Sequence, residues 1–161
     1  MAMAHYQTSE GDVFASKVAS PDGRYFAVRK SDATCCGKYE RGRLWYFGPG
    51  GEIFSPARTL RPQDVAVADS GRLIVGDWLS RDTLSCWIRI FEPDGRELYS
   101  KRHSFNVLRV SIAADGRLAI YDTAGPEYTT RVVDVDAGAI VRKVPITDHG
   151  EIMSAHKSQI S

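Results

Sequence analysis

Short apolar runs alternate along the chain with glycine-containing turns, and the pattern repeats at a nearly constant interval. One series of turns lies at residues 20–24, 68–72 and 113–117, each with an Asp ahead of a Gly-Arg pair. Each turn leads into an apolar run, such as residues 25–28. The turns recur about every 45 residues, a period typical of proteins built from repeated β units.

A second series of turns lies between the first, at residues 48–51, 92–95 and 136–138. Pro presets the backbone of such turns, Asp bonds neighbouring amides, and Gly accepts positive φ. Apolar runs flank each turn on both sides, so each turn is expected to join two strands of a hairpin. Two hairpins per period predict an all-β fold of about 12 strands in three four-stranded antiparallel sheets, with the tight turns on one edge.

Four antiparallel strands per period of about 45 residues is typical of a β-propeller blade. The chain therefore resembles the β-propeller repeat superfamily, which includes WD-repeat and NHL-like proteins. The resemblance covers about residues 12–146 and identifies no subfamily, because Asp77-Trp78 reverses the Trp-Asp order of WD repeats. The resemblance assigns no functional residue to this chain.

We interpret residues 1–161 as a single domain. The predicted parts are blade one at 12–56, blade two at 63–102, blade three at 106–146 and a polar tail at 147–161, with one short helix from residue 149. Three blades are too few to close a ring. The chain is therefore expected to be an open half-propeller, half of a dimeric six-bladed ring, or a fragment of a longer protein.

Strand alternation predicts which side chains form the core. The expected core residues are Val18, Phe26, Val28, Trp45, Phe47, Val67, Ile74, Trp87 or Ile88, Ile90, Phe91, Ile112, Leu118, Ile120, Val133, Val135 and Ile140. The end of blade one presents a difficulty, since residues 44–47 and 53–54 are apolar at both alternating positions. We expect this face to be covered either by the N-terminal arm, residues 1–11, with Met1, Met3 and Tyr6, or by a second protein.

The loops opposite the tight turns are longer, and binding residues concentrate on loops that a rigid scaffold positions. These loops combine aromatic residues with Arg, a composition typical of protein-binding surfaces. The predicted binding residues are Lys38, Tyr39, Arg41, Trp78, Arg81, Asp82, Arg102, His103, Phe105 and Tyr128. Solvated loops are the alternative interpretation.

Composition narrows the range of partners. The chain has 21 Lys and Arg residues against 20 acidic ones, a net charge of +1, which argues against a nucleic-acid partner. No apolar stretch has the length of a signal peptide core or a membrane span, so we predict a cytoplasmic protein that binds no membrane. Three cysteines do not form a disulfide framework and fit a reducing compartment.

The sequence contains no recognisable catalytic or cofactor motif. Adjacent Cys35 and Cys36 suggest a metal site or a strained disulfide, but no second Cys pair or nearby His supports a metal, so we predict reduced, non-catalytic cysteines with Cys86 buried. Asp134 and Asp136 lack the further oxygen ligands of a calcium loop. We therefore predict no catalytic residue, no metal and no cofactor.

Two functions remain. The first is a non-enzymatic protein-binding module that uses the long-loop face or an open blade end, for example an inhibitor or an immunity protein that blocks an enzyme or toxin. The alternative is a hydrolase-type enzyme whose site forms when two chains complete a propeller. Its candidate residues, at equivalent positions in the blades, are Arg29, Asp77 and Asp122. Both functions involve association with another protein or with a second copy of the chain.

Overall fold

The computed structural model describes residues 2–56, 59–79 and 84–145, and these residues form 15 β-strands and no helix. The strands are β1 (Met3–Thr8), β2 (Gly11–Ala19), β3 (Phe26–Lys30), β4 (Ala33–Cys35), β5 (Lys38–Glu40), β6 (Arg43–Gly48), β7 (Gly51–Phe54), β8 (Pro62–Val67), β9 (Leu73–Trp78), β10 (Cys86–Phe91), β11 (Glu97–His103), β12 (Val107–Ile112), β13 (Leu118–Thr123), β14 (Thr129–Asp134) and β15 (Ala139–Pro145). All strand pairs are antiparallel, so the all-β prediction is confirmed. The helix expected from residue 149 lies outside the described residues.

The strands form three large sheets and one small one. Blade two has the strand order β11-β10-β9-β8, and blade three has the order β12-β13-β14-β15. Both are four-stranded, as the repeat predicts. The prediction is wrong for blade one, whose sheet has five strands in the order β1-β2-β3-β6-β7, while β4 and β5 form a separate two-stranded sheet.

The extra strand of blade one comes from the N-terminal arm. Strand β2 is long enough to serve two partners, pairing with β1 over its first six residues and with β3 over its last four. At the tip of the β1–β2 hairpin, Ser9 N donates to Glu52 Oε1 on the outermost strand, 2.8 Å away. The hairpin therefore folds across the whole sheet of blade one, from its first strand to its last.

This arm covers the apolar face that lies away from blade two. Tyr6 and Val13 of the hairpin pack on a buried cluster that contains Val28, Trp45 and Phe47. The expectation that the arm covers blade one is confirmed by Tyr6, whereas Met3 is exposed and Met1 lies outside the described residues. The hairpin therefore shields part of this face within the chain itself.

Two further clusters fill the spaces between blades. Leu44 and Tyr46 of blade one pack against Leu73 and Val75 of blade two, and a larger cluster joins blades two and three. The predicted core residues Val28, Trp45, Phe47, Val67, Ile74, Ile88, Ile90, Phe91, Ile120, Val133 and Val135 are buried. The remaining ones, Val18, Phe26, Trp87, Ile112, Leu118 and Ile140, are half-buried.

The tight turns of neighbouring blades touch one another, which places them on one edge as predicted. Asp22 N donates to Asp69 Oδ1 at 2.8 Å, and Ser70 N donates to the Ala114 carbonyl at 3.2 Å. Gly71 has φ +91°, and a Cβ there would lie 2.9 Å from Pro93 and Tyr25, so both conformation and space require glycine. The long loops are consequently left at the opposite edge.

Among the described residues, the structure contains no helix with the length and apolar character of a membrane span.

Candidate functional site

The long loop of blade one forms an exposed β-hairpin. Strands β4 and β5 pair from Ala33↔Glu40 to Cys35↔Lys38 and are joined by the two-residue turn Cys36–Gly37. Both turn residues have positive φ, 56° and 78°, which matches the turn type that suits the twist of a two-residue hairpin. Every side chain of the two strands is exposed, so the hairpin projects from the loop edge.

A buried carboxylate anchors this hairpin to the scaffold. Asp32, whose side chain is 4% exposed, accepts two hydrogen bonds from Arg61, at 2.7 Å from Nε and 2.9 Å from Nη2. Tyr39 Oη of β5 donates to the same carboxylate at 3.1 Å. The bidentate geometry is among the stronger kinds of ion pair, and the hydrogen bonds to Asp32 raise the pKa of Arg61.

Arg61, which forms the ion pair with Asp32, is positioned by blade two. The Asp77 carboxylate accepts hydrogen bonds from the backbone amides of Leu60 and Arg61, the shortest at 2.7 Å. Trp78 N then donates to the Arg61 carbonyl at 2.9 Å. Burial raises the pKa of Asp77. This residue, a candidate for the hydrolase alternative, therefore orders the linker between blades one and two.

These contacts define what we call the hairpin surface: Lys38, Tyr39 and Arg41, with Asp32 and Arg61 beneath. The Tyr39 side chain is 52% exposed although its hydroxyl is fixed, and Lys38 and Arg41 are exposed beside it. The structure thus brings together three of the predicted binding residues. Asp32, which supports them, was missed by sequence reasoning, because nothing in the sequence pairs it with Arg61 across 29 positions.

A second group of predicted residues turns inward. His103 Nε2 lies 2.7 Å from Tyr121 Oη, which is 2.8 Å from Tyr99 Oη, so the three side chains form a chain of hydrogen bonds between blades two and three. Phe105 packs on Gly125, where any Cβ would lie 2.3 Å from its ring. We therefore assign His103 to the packing between blades two and three, and Phe105 to the packing of a loop.

The remaining predicted residues are dispersed. Trp78 is half-buried against the core between blades two and three, and Tyr128 is half-buried. Arg102 is exposed and pairs across the strands with Trp87. Arg81 and Asp82 lie outside the described residues.

Sequence reasoning also missed a groove between blades one and two. It has a volume of about 560 Å³, and its apolar part is formed by Phe54, Trp87 and Phe91. The guanidinium of Arg89 lies 5.5 Å from the centre of the Trp87 ring, within range of a cation–π contact. Alternation along β10 was the available signal, because it places Trp87, Arg89 and Phe91 on one face of blade two.

Burial determines how the inward histidine responds to pH. Burial, and then the nearby charges of Arg131, Lys101 and Lys143, lower the pKa of His103 to about 4. Between the ordinary value near 6.5 and this value the unfolded chain binds more protons than the folded one, so stability is lost as pH falls through this window. Burial acts oppositely on Asp64, raising its pKa to about 6. Protonation of this carboxyl therefore stabilises the folded state as pH falls through part of the same range.

We therefore expect His103→Gln to flatten the loss of stability between about pH 6.5 and pH 4. The measurement is urea unfolding of both proteins at several pH values. Asp64→Asn is the matched control, and it should steepen the loss because it removes the opposing titration. An unchanged slope in His103→Gln would show that the imidazole titrates normally.

The other candidate chemical groups are engaged in structure. Asp122 is buried and accepts a 2.6 Å hydrogen bond from Thr130 Oγ1. Asp134 accepts a hydrogen bond from the amide of Ala137 within its turn, and Asp136 pairs with Arg72. In the parts of the chain that the structure describes, no three His, Cys, Asp or Glu side chains are grouped to hold a metal ion.

Comparison with known proteins identifies the fold. No family model and no curated protein sequence matches the chain. A solved structure, Chaetomium thermophilum Sqt1 bound to the N-terminus of the ribosomal protein L10, matches 90% of this chain with a TM-score of 0.59 and 18% identity. Sqt1 is a WD40 β-propeller protein, so the likeness supports a β-propeller-like fold. The present chain spans 37% of that chain's length.

Proposed function

We propose that this chain is a non-enzymatic protein-binding module that contacts its partner through the hairpin surface. One observation carries the proposal: Tyr39 is 52% exposed, yet its hydroxyl is tied to a buried Asp32–Arg61 ion pair. Exposed aromatic side chains held in one conformation supply large contact area at low entropic cost. The ordering that binding usually requires is already present in the free protein.

Charge indicates the kind of partner. Lys38 and Arg41 flank the tyrosine, while Asp32 is neutralised by Arg61 and Glu40 lies 3.8 Å from Lys30 Nζ. The hairpin surface is therefore positive. We infer that it receives a segment of a partner protein that carries carboxylates around an apolar contact for the Tyr39 ring.

The fold relative supports the same class of function. Sqt1 is bound to the N-terminal segment of another protein, so a propeller-type scaffold can recognise a chain terminus. The groove between blades one and two offers a second contact for such a segment, because its lining combines aromatic side chains with polar and charged ones.

We further propose that the chain inhibits the enzyme or toxin that it binds. A rigid, projecting surface can occlude the site of an enzyme or toxin, which is how an inhibitor or immunity protein acts. Exposed unpaired thiols at Cys35 and Cys36 favour a reducing compartment, and we infer that the protein acts in the cytoplasm. The activity of the captured partner, measured with and without this chain, tests inhibition separately from binding.

Substitution of the exposed aromatic tests the proposal. Tyr39→Ala is expected to weaken binding of the partner at least tenfold, about 1.4 kcal/mol or more, because a central aromatic contact is lost. The partner is first identified with a photo-crosslinking amino acid placed at position 38, and its affinity is then measured by calorimetry. Arg61→Ala leaves Tyr39 in place but removes the ion pair that positions the Asp32 carboxylate. This variant should also weaken binding, because that carboxylate holds the Tyr39 hydroxyl.

Phe14→Ala is the matched control. Phe14 is as exposed as Tyr39 but lies on the N-terminal hairpin, so this change should leave the affinity within twofold of wild type. Equal losses in both variants, or a loss confined to Phe14→Ala, would contradict the proposed surface.

A further inference from the structure

The tip of the β4–β5 hairpin brings two thiols together. Cys35 and Cys36 are both exposed and unpaired, and their Sγ atoms are 3.2 Å apart. Among the described residues, Cys36 is the only one other than glycine with positive φ, at 56°. Asn, Asp and Gly suit that position better, so a cysteine there is held at a conformational cost.

The third cysteine is shielded from the same chemistry. Cys86 is fully buried, and its Sγ donates to the Phe105 carbonyl at 3.1 Å. Burial raises the pKa of Cys86 to about 11. Oxidants in solution therefore meet only the exposed pair at the hairpin tip, where the contact with Cys36 raises the pKa of Cys35.

We propose that Cys35 and Cys36 form a reversible thiol–disulfide switch whose co-reactants are small disulfides of the oxidised glutathione class. One cysteine thiolate attacks a sulfur of the small disulfide, which gives a mixed disulfide and releases one glutathione thiolate. The neighbouring cysteine, after losing its proton to water, attacks the cysteine sulfur of the mixed disulfide. The Cys35–Cys36 bond forms and the second glutathione leaves, so the dithiol is oxidised and the small disulfide is reduced to two thiols.

Geometry makes this disulfide easy to reverse. The Cα atoms of adjacent residues are about 3.8 Å apart across a trans peptide. Protein disulfides usually join Cα atoms about 4.4–6.8 Å apart, so the ring formed by neighbouring cysteines is strained. Strained and exposed disulfides are the ones that small thiols reduce readily. The pair therefore suits a switch and not a structural staple.

Closing the ring would act on the hairpin itself. Cys35 pairs with Lys38 across the turn, and Cys36 occupies the first turn position. A covalent bond between the two side chains changes the turn that determines where Lys38 and Tyr39 project. The switch goes beyond the proposed function and exists whether or not this surface binds a partner.

The test is equilibration of the full chain in mixtures of oxidised and reduced glutathione, followed by rapid alkylation and mass spectrometry of the peptide that contains both cysteines. Oxidation should remove two hydrogens from this peptide and prevent its alkylation, and excess reduced glutathione should restore both thiols. Cys86→Ser should behave as wild type. Cys35→Ser and Cys36→Ser should instead accumulate a mixed glutathione disulfide.

A second probe tests the proximity of the sulfurs without oxidation. Phenylarsine oxide, which bridges two thiols, should bind one-to-one to wild type and to neither single serine variant. A disulfide that resists reduced glutathione, a lasting mixed disulfide in wild type, a disulfide-linked dimer, or failure to bind the arsenical would each overturn the proposal.

Discussion

Replacing Trp45 with Ala is expected to lower the free energy of unfolding by about 3–5 kcal/mol. The Trp45 side chain is only 2% exposed, packed with Val28 and Phe47 beneath the N-terminal hairpin. Its indole Nε1 also donates to Glu10 Oε2 at 3.1 Å, on the tip of that hairpin. The substitution leaves a cavity and removes the hydrogen bond to the N-terminal hairpin. Denaturant unfolding followed by fluorescence measures the resulting loss of stability.

Trp87→Ala is the control for size and chemistry. Trp87 is half-buried in the groove between blades one and two, so its removal should cost only about 1–2 kcal/mol from the apolar area it buries. Comparable costs for the two variants would mean that the arm does not seal blade one.

Replacing Arg72 with Ala is expected to cost about 2–4 kcal/mol, because one side chain joins four turns on the tight-turn edge. Arg72 follows the first turn of blade two and donates to Glu92 at 2.6 Å, to Asp136 at 2.8 Å and to the Gly116 carbonyl at 3.1 Å. The Arg72 and Glu92 side chains are each 18% exposed, so Glu92 would lose its charge compensation in a largely desolvated setting, whereas Asp136 is 55% exposed. Thermal and urea unfolding measure the change.

The repeat supplies matched controls for this arginine. Arg117 occupies the same turn position in blade three, but it is 75% exposed and lies 3.9 Å from Asp136. Arg117→Ala should therefore change stability by less than about 0.5 kcal/mol. Arg72→Lys should recover only part of the loss, because an ammonium cannot reproduce the guanidinium fork. A similar cost at both positions would contradict the role of Arg72 as a connection between blades.

The blades were predictable because their signal is local and repeated. A turn such as 20–24 carries its own conformational preference, and alternation within each strand identifies the buried face. Blades two and three accordingly follow the sequence pattern. The same pattern placed Val28, Ile74 and Ile120 in the core, where the structure has them.

The departures in blade one depend on contacts between distant residues. The segment 3–8 contains polar His5 and Gln7, and the turn that follows it at residues 8–11 lacks the Asp and Gly-Arg of the repeated turns, so the sequence predicts an arm. It becomes a strand because β2 continues beyond β3 and offers a free edge. The pairing of Asp32 with Arg61 likewise depends on how the linker from blade one to blade two returns, which Asp77 determines.

The arm also bears on ring closure. A six-bladed ring made from two chains would have to pack blade three of one chain against the outer face of blade one of the other. That face is occupied by Tyr6 and Val13 of the chain's own hairpin. Closing the ring in this way would require the hairpin to be displaced from blade one. We therefore place the partner-binding surface on the loop edge.

Hydrogen–deuterium exchange on the chain, free and bound to its captured partner, tests the central claim most directly. The account predicts new protection of backbone amides in residues 33–41 and 59–62, with exchange at the tight turns around Gly23, Gly71 and Gly116 unchanged. Protection confined to the tight-turn edge or to the N-terminal hairpin would contradict it.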